Sequence, residues 1–234
     1  MYHSMIQYTA CKEFQLLLFI TIDKVWDYIN QPASNPLLHY NDGSYIFDIP
    51  SFNKEAIREA ILNACCHRSM LIQSDVVIKQ YLDSITITNA GGFPSGVDMN
   101  NILTVNSVPR SKLMSEVLQK TGLVERSGQG MNLMFELSVQ EAKPLPDFTG
   151  TDDFFVSVTL NGLILDKAML SVLNRISERG AELLSTEDFL VIDALYHERP
   201  LNEKMQSRLN RLIEMGIVEH IGRKKLSLIH ISEP

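Results

Sequence analysis

Glu59, Asn63 and His67 stand four residues apart, a spacing that on an α-helix stacks them along one face with ~6 Å of rise between neighbours. Ile57, Ala60, Ile61 and Ala64 fall on the other side and make that face apolar. A carboxylate can align a water, an amide oxygen can hold a metal ion, and an imidazole can meet a phosphate. The same spacing also describes the solvated edge of an ordinary helix.

Two glycine clusters bear on that choice. Asn89-Ala90-Gly91-Gly92-Phe93-Pro94-Ser95-Gly96 follows a strand pattern, and Glu125 to Gly130 precedes a helical one. Backbone N–H groups in such places, together with a helix dipole, can receive phosphate oxygens. Either cluster alone also fits a structural turn. A third group is basic. Lys204, Arg208 and Arg211 lie away from Leu209, Leu212, Ile213 and Met215 on a helical stretch, and Arg223, Lys224 and Lys225 follow it. That face suits contacts to phosphates and base edges, or plain solvation, or docking to a protein.

The elements that must position these residues follow from periodicity. Helices are expected over 13–30, from a cap at Ser51 through His67, over 111–119 ending at Gly122, and over 131–140. Strands are expected within 37–48 around an Asn41-Asp42-Gly43 turn, over 75–81 and 84–88 as a hairpin, and over 154–160. After Asn161-Gly162 come three helices (166–179, 185–196, 202–215, the last closed by Gly216), then a short strand over 217–221 and a basic turn. That order is the one of a winged helix-turn-helix.

Arg58-Glu59-Ala60-Ile61-Leu62-Asn63-Ala64-Cys65-Cys66-His67-Arg68, Ile85-Thr86-Ile87-Thr88-Asn89-Ala90-Gly91-Gly92-Phe93-Pro94 and Val124-Glu125-Arg126-Ser127-Gly128-Gln129-Gly130-Met131 occur in this order. Together they resemble the ATPase-like domain of bacterial transcriptional regulators labelled RecG-like, a divergent relative of the GHKL ATPases. The resemblance implies an α/β (α+β) fold: a GHKL-like, Bergerat-type α/β sandwich followed by a winged helix. It also implies a preceding AlbA-like (Schlafen-type) domain, an ATP ligand with magnesium, and double-stranded DNA as partner. Carried onto this chain, it makes Glu59 the base toward water and Asn63 the magnesium ligand. His67 becomes a polar contact, Asn89, Gly91 and Gly92 the first glycine box, and Gly128 and Gly130 the second. Relatives carry an aspartate where Asn89 stands; an amide oxygen still accepts a hydrogen bond from adenine, but without charge. A degenerate, non-catalytic docking module is the competing expectation.

Other chemistries lack their motifs. No G-x-x-x-x-G-K-[ST] loop occurs, so a helicase motor is not expected, and no G-x-S-x-G or H-E-x-x-H is present. Three cysteines without C-x-x-C spacing indicate neither a zinc site nor a disulfide framework. The longest apolar run, Phe14 to Ile22, is too short to span a bilayer, so no membrane partner is expected and the cytoplasm is the expected compartment; a homo-oligomer is left open.

The net charge of −7 is polarised: Arg199 to Lys225 carries seven basic and three acidic residues, a balance of +4, leaving 14 basic and 25 acidic elsewhere, or −11. The expected organisation is a remnant helix over 1–36, an ATPase-like unit over 37–161 and a winged helix over 162–225. The last nine residues, Leu226 to Pro234, resemble the translation of a sequencing-library adapter, and no functional role is expected of 226–234.

Overall fold

The computed structural model describes residues 18–41, 46–105, 109–123, 130–177, 184–221 and 225–228. In chain order these form α1 (Leu18–Ile29), β1 (Leu37–Asn41), β2 (Ile46–Pro50), α2 (Lys54–His67), β3 (Val77–Gln80), β4 (Ser84–Ala90), α3 (Lys112–Lys120), α4 (Gly130–Gln140) and β5 (Phe155–Asn161). They continue with α5 (Lys167–Ser177), α6 (Thr186–Tyr196), α7 (Glu203–Glu214), β6 (Val218–Ile221) and β7 (Lys225–Leu228). The described residues make a mixed α/β protein with seven helices and three antiparallel sheets, ordered β1-β2, β3-β4-β5 and β6-β7.

β4 is the central strand of the largest sheet, and its alternation assigns its two faces. Ile85 and Ile87 are buried, and across from them on β5 stand Leu160 and Val158. Thr86 and Thr88 project to the other face, where their hydroxyls meet those of Thr159 and Ser157 at 2.9 and 3.2 Å. α2 packs on β4 and on α4, and α4 packs in turn on α6. Ile57 and Leu62 of α2, Met134 of α4 and Val191 and Ile192 of α6 are at most 1% exposed, each such side chain contributing about 1.5–3 kcal/mol through burial.

The start of α2 differs from expectation. Asn53, not Ser51, is the N-cap, its side-chain oxygen accepting from the amides of Glu55 and Ala56 at 2.9 and 3.3 Å. Ser51 is drawn away because its amide and hydroxyl both donate to the Pro36 carbonyl. Beside the cap lies a buried ion pair. Lys143 donates to Glu141 at 2.6 Å and to the carbonyls of Pro50 and Ser51 at 2.7 and 2.9 Å, and Asn53 donates to the other Glu141 oxygen at 2.6 Å. Burial lowers the Lys143 pKa and Glu141 opposes that shift. With all of its bonds formed the cluster ties the segment after α4 to the start of α2; deleting one partner of such a pair costs about 3–5 kcal/mol.

The C-terminal helices fall where periodicity places them. Ser185 and Asp188 form a reciprocal capping box on α6, and Asn202 caps α7. Leu226, Ser227 and Leu228 form the end of β7, with Leu228 opposite Val218 and 1% exposed. Leu-Ser-Leu is an apolar-polar-apolar alternation, which pairs with a neighbouring strand whatever its origin. No helix among the described residues is long and apolar enough to cross a membrane.

Candidate functional site

A cavity of about 1020 Å³ opens between α2, α4, β4, the segment after β4 and the start of α6. Its α2 wall carries Glu59, Asn63 and His67, as the four-residue spacing predicts, and all three are half-buried. Asn63 donates to Glu59 Oε1 at 3.4 Å. The carboxylate of Glu59 in turn rests on Gly130, the first residue of α4, where an added Cβ would overlap it. A carboxylate at a helix N-terminus is favoured by the dipole, typically by about 0.3–1 kcal/mol. Gly130 lines the cavity. Gly128 lies outside the described residues.

Asn89 is the next inward position on β4 after Ile85 and Ile87, so the strand's alternation turns an amide into the cavity where an apolar side chain would otherwise stand. It is 4% exposed. Its side-chain amide donates to the Ala90 carbonyl at 3.3 Å, and among the described residues its side-chain oxygen has no hydrogen-bond partner.

The first glycine turn does not have the expected electrostatics. Gly91 takes a left-handed φ of +89°, and its amide donates to the Phe154 carbonyl at 2.5 Å, while the Gly92 amide donates to Asp153 at 3.1 Å. These amides extend the pairing of β4 with the segment before β5 and so are not presented to a phosphate. Two cations not anticipated as site residues stand nearby. Arg58 lines the cavity and donates to the Leu123 carbonyl at 2.9 Å, and Arg110 donates to the Gly92 carbonyl at 2.7 Å. Their signal in the sequence is weak, because an isolated arginine is usually a solvated one.

Glu59 and Asn63 together offer two side chains with oxygen donors. Among the described residues no cluster of three or more His, Cys, Asp or Glu could hold a metal. That donor set fits magnesium, which takes one or two protein ligands when phosphates supply the rest. Cys66, also on the cavity wall, is no nucleophile: burial, with Cys65 and Glu59 beside it, pushes its thiol up to about 11.

The basic residues of α7 are engaged within the chain. Arg211 pairs with Asp188 at 2.9 Å and Arg208 with Glu187 at 3.4 Å, both acids in the first turn of α6, and Lys204 reaches Thr104 at 3.4 Å. Asp188 is fully buried, so Arg211 is a tie between α6 and α7. Arg223 and Lys224 lie outside the described residues, as does the side chain of Lys225, the first residue of β7.

Against known proteins, residues 73–160 match a family model described as "Putative ATP-dependent DNA helicase recG C-terminal". This stretch contains β3, β4, α3, α4, Asn89 and β5 as far as Leu160 but not α2, and its similarity to an ATPase-like family suggests a nucleotide-binding role. In structure the chain is similar to the crystal structure of the DIP2311 protein from Corynebacterium diphtheriae, with a TM-score of 0.69 and 20% identity over 89% of this chain and 45% of that one. The chain thus spans under half the length of that neighbour. No curated protein matches.

Burial, assisted by Arg110, lowers the pKa of His67 below its ordinary 6.5. The unfolded chain therefore binds more protons, so this contribution to stability is complete above about pH 6.5 and declines as the pH falls through that value. Chemical denaturation between about pH 7.5 and 5 is expected to show a shallower loss of stability for His67→Gln than for the wild type. Parallel pH profiles would contradict it.

Proposed function

We propose that this chain is part of a RecG-like regulator in which a GHKL-type α/β unit binds ATP with magnesium and a winged helix, built from α5 to α7 with β6 and β7, contacts double-stranded DNA. The observation that carries the nucleotide half is the buried amide of Asn89 aimed into a cavity whose opposite wall presents Glu59, Asn63 and His67. An adenine amino group would donate to Asn89, and Asn63 would hold magnesium against the phosphates. Magnesium supplies charge neutralisation to the phosphate oxygens. Glu59 would orient a water, so any turnover would rest on positioning and electrostatics. The neutral amide at position 89 favours binding with slow turnover over rapid hydrolysis.

The DNA half is supported by the order of elements and by the +4 balance of Arg199 to Lys225. Arg208 is 37% exposed in its side chain and its partner Glu187 is 39% exposed, so this pair can yield to phosphate more readily than Arg211 and Asp188 can. Glu187 also lines the cavity, which gives nucleotide and DNA contacts a shared wall.

Calorimetric titration of the folded chain with Mg-ATP is expected to detect binding that falls about tenfold or more in Asn63→Ala, a loss of roughly 1.4 kcal/mol. Absence of binding in the folded wild type would overturn the nucleotide half and favour a docking module. A DNA mobility shift is expected to weaken steeply with salt and on neutralising Arg208, Lys224 and Lys225 together. A shift indifferent to salt and to those substitutions would overturn the DNA half.

A further inference from the structure

The amides of Gly91 and Gly92 donate to the Phe154 and Asp153 carbonyls, so neither of these two is presented to a polyphosphate. What lies over that turn is Arg110. The amide of Ser111 donates to the Cys66 carbonyl at 3.3 Å, which pins this segment to the last turn of α2 beside His67. From there the guanidinium reaches the turn: Nη2 donates to the Gly92 carbonyl, and a Cβ added at Gly91 would overlap Nη1. Its neighbours Pro109, Gly92 and His67 line the cavity, and Arg110 itself is exposed at the cavity's margin.

Among the described residues Arg110 is also a cation without a carboxylate partner. None of the ion pairs among the described residues includes it, although Arg199, Arg208, Arg211 and Lys143 each have a carboxylate. The cavity's own carboxylates, Glu55, Glu59, Glu136 and Glu187, come from α2, α4 and α6, none of them within ion-pair distance of it. A guanidinium presents five N–H donors in a planar fork that matches phosphate geometry, and the Gly92 carbonyl occupies one edge of it.

We propose that Arg110 is the anion-contacting residue of the nucleotide site, gripping a phosphate through its free edge while Gly92 fixes its position. It performs the task that the amides of Gly91 and Gly92 would otherwise perform. The proposal rests on the nucleotide reading above. It makes Arg110 the residue that distinguishes a nucleoside polyphosphate from its nucleoside.

Calorimetric titration with ATP and, separately, with adenosine tests this on the wild type, Arg110→Ala and Arg110→Gln. Glutamine can still donate to the Gly92 carbonyl but carries no charge, which separates anion contact from support of the turn. Both variants are expected to bind ATP about tenfold or more weakly while their adenosine affinity stays within about twofold of wild type. An equal loss for ATP and adenosine, or full ATP affinity in Arg110→Gln, would overturn the proposal and leave the nucleotide reading standing. A folded wild type that binds neither ligand removes both.

Discussion

The architecture of the site depends on one close contact, the carboxylate of Glu59 lying against the bare Cα of Gly130. Glycine there lets α2 and α4 approach with a charged group between them, and the N-terminal end of α4 is the place where that charge is least costly. From this contact follows the rest of the geometry. Asn63 reaches Glu59, α2 keeps its polar edge toward the cavity, and its apolar edge remains on β4 and the core. The buried Lys143–Glu141–Asn53 cluster fastens the other end of the same helix pair. α4 is thus held at both ends against the first half of α2.

A second set of ties carries the wall of the cavity into the C-terminal elements. α4 packs on α6, Thr186 donates to Glu136 at 3.2 Å, and the acids that follow Thr186 hold Arg208 and Arg211 of α7. Asp188 serves both the capping box and the Arg211 pair through the same oxygen, while its other oxygen is buried without a partner. A group left half-satisfied in this way raises the energy of the arrangement it sits in. The first turn of α6 is therefore the most loaded polar point of the described structure, and it is the turn that contacts the cavity.

Much of this was legible from residue patterns. The i, i+4 spacing of Glu59, Asn63 and His67 determines a shared helix face, and the structure has them there. The expected strand stops at Thr88, and the structure carries β4 on through Ala90, so that Asn89 continues the inward alternation of Ile85 and Ile87. What escaped the sequence depends on partners far away in the chain. Ser51 and Asn53 are equally good caps, and only the Pro36 carbonyl decides between them. The amides of Gly91 and Gly92 look available until Asp153 and Phe154, some sixty positions later, take them. Arg110 gains its meaning from that same pairing, and the basic face of α7 loses part of its exposure to acids one helix earlier.

A double-mutant cycle between Glu59→Ala and Gly130→Ala measures the contact on which the site is built. In the wild-type background Gly130→Ala must displace the carboxylate and is expected to destabilise by about 1–3 kcal/mol. In the Glu59→Ala background the obstruction is gone, and alanine's helix propensity, worth up to about 1 kcal/mol over glycine, should make the same substitution neutral or stabilising. An equal loss of stability in both backgrounds would contradict the account.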